Sequence, residues 1–189
     1  MATGPLEAIV LAAGLGRRFG GGKLTSPYDG GRLLDGAVRA ALAAPVRSVR
    51  VVVGHDAEAV AAVARALGPV EIVQAERHAE GLAETLKAGI ASLPADTAGA
   101  FIFLGDMPQI PPDMAAKLAE ALGQADAAAP VREGQRGHPV LISARLFPAV
   151  MTLQGDEGAG RLFKDNIALV PTEDQGVLFD VDERPESAG

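Results

Sequence analysis

The stretch LAAGLGRRFGGGK, from Leu11 to Lys23, constrains this chain more than any other. An apolar run, Ala8-Ile9-Val10-Leu11, leads straight into it and reads as a short strand buried on both faces. Five glycines then follow within nine residues, at positions 14, 16, 20, 21 and 22. Glycine permits positive φ and close approach of the backbone to a ligand. Successive exposed amides form a concavity that suits an anion. Arg17, Arg18 and Lys23 add cationic donors matched to phosphate oxygens. A glycine-rich surface turn would not need such a strand before it. The residues describe a loop that wraps a polyphosphate.

Spacing separates this loop from two common phosphate loops. A dinucleotide fingerprint, G-x-G-x-x-G, would put its third glycine on Phe19, and no acidic residue is well placed about twenty residues on. A Walker A loop would begin on Arg17, and Leu24 rather than Ser or Thr follows the lysine. The pattern L-A-A-G-x-G-x-R-F-G…K instead resembles the signature loop of nucleotidyltransferases built like the molybdenum-cofactor guanylyl- and cytidylyltransferases.

Downstream, apolar spacing predicts a helix over Leu33–Leu42, stopped by Pro45, and a strand over Val49–Val53. A helix over Ala57–Leu67, capped by Asp56, a strand over Val70–Val73 and a helix over Glu80–Leu93 follow. Ala100–Leu104 is continuously apolar and reads as a central strand. This alternation predicts parallel βαβ units in an α/β, Rossmann-like doubly wound, mostly parallel sheet, a three-layer sandwich. A helix over Pro111–Leu122 and strands over Ala127–Val131 and His138–Ile142 come next. Short helices near Arg145–Met151 and Ala159–Asn166 and a late strand over Val177–Asp182 complete the pattern. The expected organisation is one domain over 1–189, with about 1–110 binding nucleotide and about 111–189 shaping an acceptor pocket.

Gly105-Asp106-Met107-Pro108 directly follows the central strand. In open α/β sheets, ligands bind at the carboxyl ends of the strands. Asp106 and the phosphate loop are therefore expected to face each other, and a carboxylate beside a triphosphate suits Mg²⁺, which favours oxygen ligands. Asp180 and Asp182 alternate around Val181 on the predicted late strand, so they should point to opposite faces. The segment DVDERPE resembles the D-V-D-T-P-E-D ending of the same nucleotidyltransferases, where a carboxylate completes the metal shell, and the resemblance implies Asp182 as the second metal ligand, with Asp180 the alternative.

The order LAAG…K, EGLAETLKAG, GDMP, RGHPVL, LQGDEGAG and DVD covers most of the chain and resembles the cytidylyltransferase branch of the MobA-like nucleotidyltransferases. The resemblance implies CTP as donor, a molybdopterin phosphate as acceptor, Mg²⁺ as cofactor, and a molybdoenzyme or its maturation chaperone as a possible receiver. It implies that Leu11, Ala12, Ala13, Gly14 and Gly16 cradle the nucleotide, that Arg18 meets the β- and γ-phosphates, and that Lys23 meets the reacting phosphates. Gly81 and Thr85 match the helix entry near base and ribose. His138, Asp156 and Arg161 fall in segments that match the acceptor side. Three departures stand out: Thr85 replaces the usual serine, Gly160 intervenes before Arg161, and Glu183-Arg184 replaces a threonine after Asp182. His55 and His78 read as a turn residue and a surface residue.

The net charge of −7 argues against a general nucleic-acid surface. The absence of cysteine excludes thiol catalysis and zinc–thiolate sites. No basic segment with a signal-peptide core opens the sequence, and no apolar run approaches membrane-spanning length, so a cytoplasmic location is expected. Three alternatives remain: transfer to a sugar phosphate or other phosphorylated small molecule, a catalytically silent nucleotide-binding accessory protein, and a nicotinamide oxidoreductase, which the failed dinucleotide spacing disfavours.

Overall fold

The computed structural model describes residues 4–14, 21–163 and 166–182. In chain order it runs β1 (Leu6–Ala12), the small hairpin β2 (Pro27–Tyr28) and β3 (Gly31–Arg32), α1 (Leu33–Ala43), β4 (Val49–Val53), α2 (Ala57–Leu67) and β5 (Glu71–Gln74). Then follow α3 (Leu82–Ala91), β6 (Gly99–Leu104), α4 (Met114–Leu122), β7 (Ala127–Arg132), β8 (Gln135–Arg136), β9 (Val140–Ser143), α5 (Phe147–Val150) and β10 (Ile167–Pro171).

The main sheet has the order β10-β7-β9-β6-β1-β4-β5, with β8 paired to β7. β1 is parallel to both β4 and β6, β4 to β5, and β7 to β10; β9 runs antiparallel between β6 and β7. Alternation along β1 explains the layers, since successive side chains leave opposite faces. Ala8, Val10 and Ala12 pack with α1, α2 and α4, whereas Ile9, Leu11 and Ala13 pack with α3 and the α5 region. The result is the expected mixed, mostly parallel α/β three-layer arrangement. After β5 the chain crosses by α3 on the other face and returns beside β1. The loops after β1 and β6 thus leave neighbouring strands at one edge, a topological switch point.

Two sequence expectations need correction. The late strand is Ile167–Pro171, not Val177–Asp182. Among the described residues Ile167–Pro171 pairs only with β7, and its exposure and terminal proline are those of an edge strand. Residues 175–177 make a 3₁₀ turn, and Val177 at its end and Val181 beyond it bind separate loops by single hydrogen bonds rather than a ladder. Asp56 stands at the N-cap position of α2, its O accepting from Val60 N at 3.0 Å, but its side chain does not cap the helix. The residue sits in the left-handed region at φ 55°, and its Oδ2 accepts from Gly22 N at 3.3 Å instead. No helix among the described residues is long and apolar enough to cross a membrane.

At the opposite edge of the sheet, β1 begins with a fully buried carboxylate. Glu7 accepts from Arg47 Nε at 2.6 Å, Ser48 Oγ at 2.6 Å and Arg50 Nη1 at 3.1 Å. Arg50 is itself buried and reaches Glu71 at 3.1 Å, while Arg47 forks onto Asp96. Removing one member of a buried ion pair strands its partner in low dielectric. Glu7→Ala should therefore destabilise the fold by about 3–5 kcal/mol, measured as a fall in the urea midpoint. A loss near that of an exposed salt bridge would show that the network does not hold this edge.

Candidate active site

The site is assembled from the loop after β1, the GDMP turn after β6 and the carboxyl-terminal arm. Gly105 N donates to Leu11 O at 3.0 Å, so the GDMP turn starts hydrogen-bonded to β1. Met107 N closes the turn on Leu104 O at 3.1 Å, and the Met107 side chain is buried. From beneath, α1 supports it: a Cβ on Gly36 would lie 1.9 Å from Pro108 O. Only glycine lets helix and turn approach this closely. Gly36 lies outside the motifs that carry the sequence argument, although a glycine inside the helical pattern LLDGAVRAAL is itself a signal of close packing.

The arm crosses the same turn. A Cβ on Gly176 would fall 1.8 Å from Gln109 O, Val177 O accepts from His138 N at 2.8 Å, and Val181 N donates to Asp106 O at 3.1 Å. Val177 and Val181 are buried and anchor it. Because the arm is irregular here, Asp180 and Asp182 do not diverge as they would on a strand. Asp106, Asp180 and Asp182 each bring a carboxylate oxygen within 4.8 Å of the others.

Lys23 enters this cluster from the other loop. Its Nζ lies 2.8 Å from Asp106 Oδ2 and 3.7 Å from Asp182 Oδ1. Its backbone is fixed by the next turn, where Ser26 Oγ donates to Lys23 O at 2.7 Å and Thr25 Oγ1 to Gly22 O at 3.1 Å. The donor set fits a hard divalent cation. Three carboxylate oxygens at this spacing need only small rotations to reach the about 4 Å span of an octahedral oxygen shell.

A cleft of about 560 Å³ opens beside the cluster. Leu11, Ala13 and Gly14 line it, with Lys23, Asp106, Gly81, Thr85 and Asp156. Ala12 points to the other face, into the core under α1 and α2. Gly81 takes φ 124° at the entry to α3, where a Cβ would meet Gly155 at 2.3 Å; Ala83 N donates to Gly155 O at 2.9 Å. The LQGDEGAG loop therefore clamps the start of α3 and delivers Asp156 to the cleft. Gly16 and Arg18 lie outside the described residues. His78 is not a surface residue: it is half-buried and lines the cleft.

A second cavity of about 240 Å³ shares Leu11, Leu82 and Leu104 with the first. Leu86, Ile102, Val140 and Phe163 make it chiefly apolar, with His138 and Arg136 as polar members. Arg136 stacks over the Phe163 ring, 5.6 Å from its centroid. Loss of water around the His138 ring pushes its pKa down to about 4, against the smaller opposing pull of the Asp106 charge. Arg161 lines neither cavity and pairs with Glu157.

Comparison with known proteins places this geometry in context. Residues 8–172 match the MobA-like NTP transferase domain. The chain is 32% identical to nicotine blue oxidoreductase of Paenarthrobacter nicotinovorans, over 94% of this chain and 92% of that protein. It is 26% identical to the molybdenum cofactor cytidylyltransferase of Escherichia coli, over 94% and 91%. The structure superposes on Rv0371c of Mycobacterium tuberculosis H37Rv with a TM-score of 0.84 and 26% identity, covering 95% and 94% of the two chains.

Two outcomes follow from the geometry. Lys23→Met removes the ammonium that offsets the carboxylates, so the metal-free variant should melt below wild type. Millimolar Mg²⁺ or Mn²⁺ should then raise its melting temperature more than that of wild type. Equal shifts would show that Lys23 and the cation do not share the cluster. His138, with a folded-state pKa of about 4 against an ordinary 6.5, binds its proton more readily in the unfolded chain. Its contribution to stability is present in full above pH 6.5 and is lost as the pH falls through about 4. His138→Gln should flatten the profile of urea midpoint against pH across that window. Parallel profiles would contradict a neutral, desolvated ring.

Proposed function

Since the chain belongs to the MobA-like NTP transferase domain family, we propose that it is a cytidylyltransferase. It transfers CMP from CTP to the phosphate of a molybdopterin acceptor and releases pyrophosphate. The observation that carries this reading is the convergence of Lys23 with Asp106, Asp180 and Asp182 at the mouth of the large cleft.

In this reading the acceptor's phosphate oxygen attacks the α-phosphorus in line, and the bond to the bridging oxygen of the β-phosphate breaks. Pyrophosphate leaves with the electron pair. Both reactants are anionic, so positioning and charge neutralisation carry the catalysis. Asp106 and Asp182, with Asp180 beside them, would hold Mg²⁺, which supplies part of that neutralisation when bound. Lys23 and Arg18 donate to phosphate oxygens, and the backbone from Leu11 to Gly16 cradles the nucleotide. Gly81 and Thr85 border the nucleoside. No general base is needed, because a phosphate monoester is already ionised at neutral pH.

The neighbouring apolar cavity suits the flat heterocycle of the acceptor, with His138 neutral against it, while Asp156 faces the acceptor from the larger cleft. Arg161 contributes only if it leaves Glu157. The product would pass to a molybdoenzyme or its maturation chaperone.

A second reading has one observation in its favour: the relative at 32% identity is named an oxidoreductase. Against it stand the missing dinucleotide spacing and a cluster of carboxylates that repels a pyrophosphate in the absence of a cation. Oxidation of NAD(P)H by the purified protein would support it.

The deciding experiment is a matrix of nucleoside triphosphates against molybdopterin and sugar-phosphate acceptors, read as pyrophosphate release with Mg²⁺. CTP with molybdopterin should turn over fastest. Asp106→Asn keeps the volume of the side chain but removes the charge. It should lower turnover on the order of 10²–10³-fold and nucleotide affinity far less. Near-normal turnover with unchanged Mg²⁺ dependence in Asp106→Asn would remove the metal assignment.

A further inference from the structure

We propose that His78 reads the nucleobase, accepting a hydrogen bond from the exocyclic amine of cytosine and so rejecting uracil, which presents a carbonyl at the same position. The inference rests on the reading of the large cleft as a nucleoside triphosphate site and adds the residue that sets its base preference.

The strand order places His78 at the correct end of the cleft. Along the carboxyl edge the strands run β6-β1-β4-β5. With strands about 4.8 Å apart, the ends of β6 and β5 are separated by about 14 Å. Lys23 and the carboxylates lie at the β6 end, and His78 follows β5. Phosphates held by Lys23 leave the nucleoside to extend toward β4 and β5, where His78 lines the wall.

The ring is also fixed in orientation. Its root packs on Gly54, at the end of β4, where a Cβ would fall 2.4 Å from His78 Cγ and 2.9 Å from Ala13 Cβ. The space that a side chain at position 54 would fill belongs to the histidine. On one edge, His78 Nδ1 lies 3.0 Å from Ala75 O, and Ala75 is itself tied to β4 through its N–H on Val53 O at 2.8 Å. A carbonyl can only accept, so Nδ1 carries the proton and donates. In the neutral ring this leaves Nε2 as an acceptor. Cytosine and uracil have the same outline and differ here in donor against acceptor. A site built to pair one of them leaves a polar group unpaired with the other.

The test is calorimetric titration of the full chain with CTP and with UTP in the presence of Mg²⁺ and without acceptor. Wild type should bind CTP more tightly than UTP by on the order of tenfold. His78→Phe keeps a flat ring on Gly54 but has no acceptor, and the CTP-to-UTP ratio should collapse toward one. His78→Gln retains an acceptor oxygen and should keep part of the preference. Gly54→Ala, which displaces the ring without touching its chemistry, should also lower the ratio. Melting curves identify any variant that fails to fold, and the remaining variants still decide the question. An unchanged ratio in His78→Phe, or equal binding of CTP and UTP by wild type, overturns the role of His78 and leaves the triphosphate site standing. Absence of any triphosphate binding by wild type removes the site and this inference together.

Discussion

Everything in this protein depends on β1 being hydrogen-bonded in parallel to β4 on one side and β6 on the other. Parallel pairing on both sides makes the loops after β1 and β6 leave from adjacent points of one edge. The bond from Gly105 N to Leu11 O carries the register past the end of β6 itself. Lys23 and Asp106, 83 positions apart in sequence, meet at 2.8 Å as a consequence. A slip of one residue in this pairing would turn every β1 side chain to the other face and move the two loops out of reach.

The two edges of the sheet handle charge differently. At the amino edge Glu7 is fully buried, and arginines and a serine meet both of its oxygens. At the carboxyl edge three carboxylates gather beside a partly solvated cleft, and Lys23 lies against two of them, Asp106 and Asp182. Like charges so close raise the energy of the folded state unless a cation offsets them. Such a cluster is a cost to folding that suits a site for phosphates and a divalent ion. Backbone packing holds the cluster in place: Gly36 lets α1 press on Pro108, and Gly176 lets the arm press on Gln109. Neither glycine supplies chemistry, yet each decides where a carboxylate stands.

Leu11, Leu82 and Leu104 form a common wall between the larger cleft, which holds Lys23 and Asp106, and the smaller, more apolar cavity. A nucleotide and an acceptor seated on either side of that wall would bring their phosphates together near Asp106. This arrangement, with the charged cluster at one chamber and a chiefly apolar lining at the other, suits a reaction that joins two unlike molecules through phosphate. Desolvation keeps His138 neutral at the apolar side, which suits it to hydrogen bonding rather than to charge pairing.

Local sequence determined the elements whose signals are local. The apolar run into LAAG, the periodic helices α1 and α2, the continuous β6 strand and the GDMP turn are all legible because burial pattern and turn chemistry act over a few residues. The placing of Lys23 opposite Asp106 was also legible, since alternating strands and helices imply a parallel sheet with loops at one edge. Tertiary structure alone decided the rest. Edge strand β10 is nowhere fully buried, and the segment Val177–Asp182 reads as a strand although Val177 O and Val181 N bond to two separate loops. Hence the opposite faces expected for Asp180 and Asp182 became one shared cluster. His78 and Asp56 changed meaning for the same reason. The role of each depends on a partner distant in sequence, the backbone at Gly54 for one and the Gly22 amide for the other, and no local propensity encodes where a distant backbone group will lie.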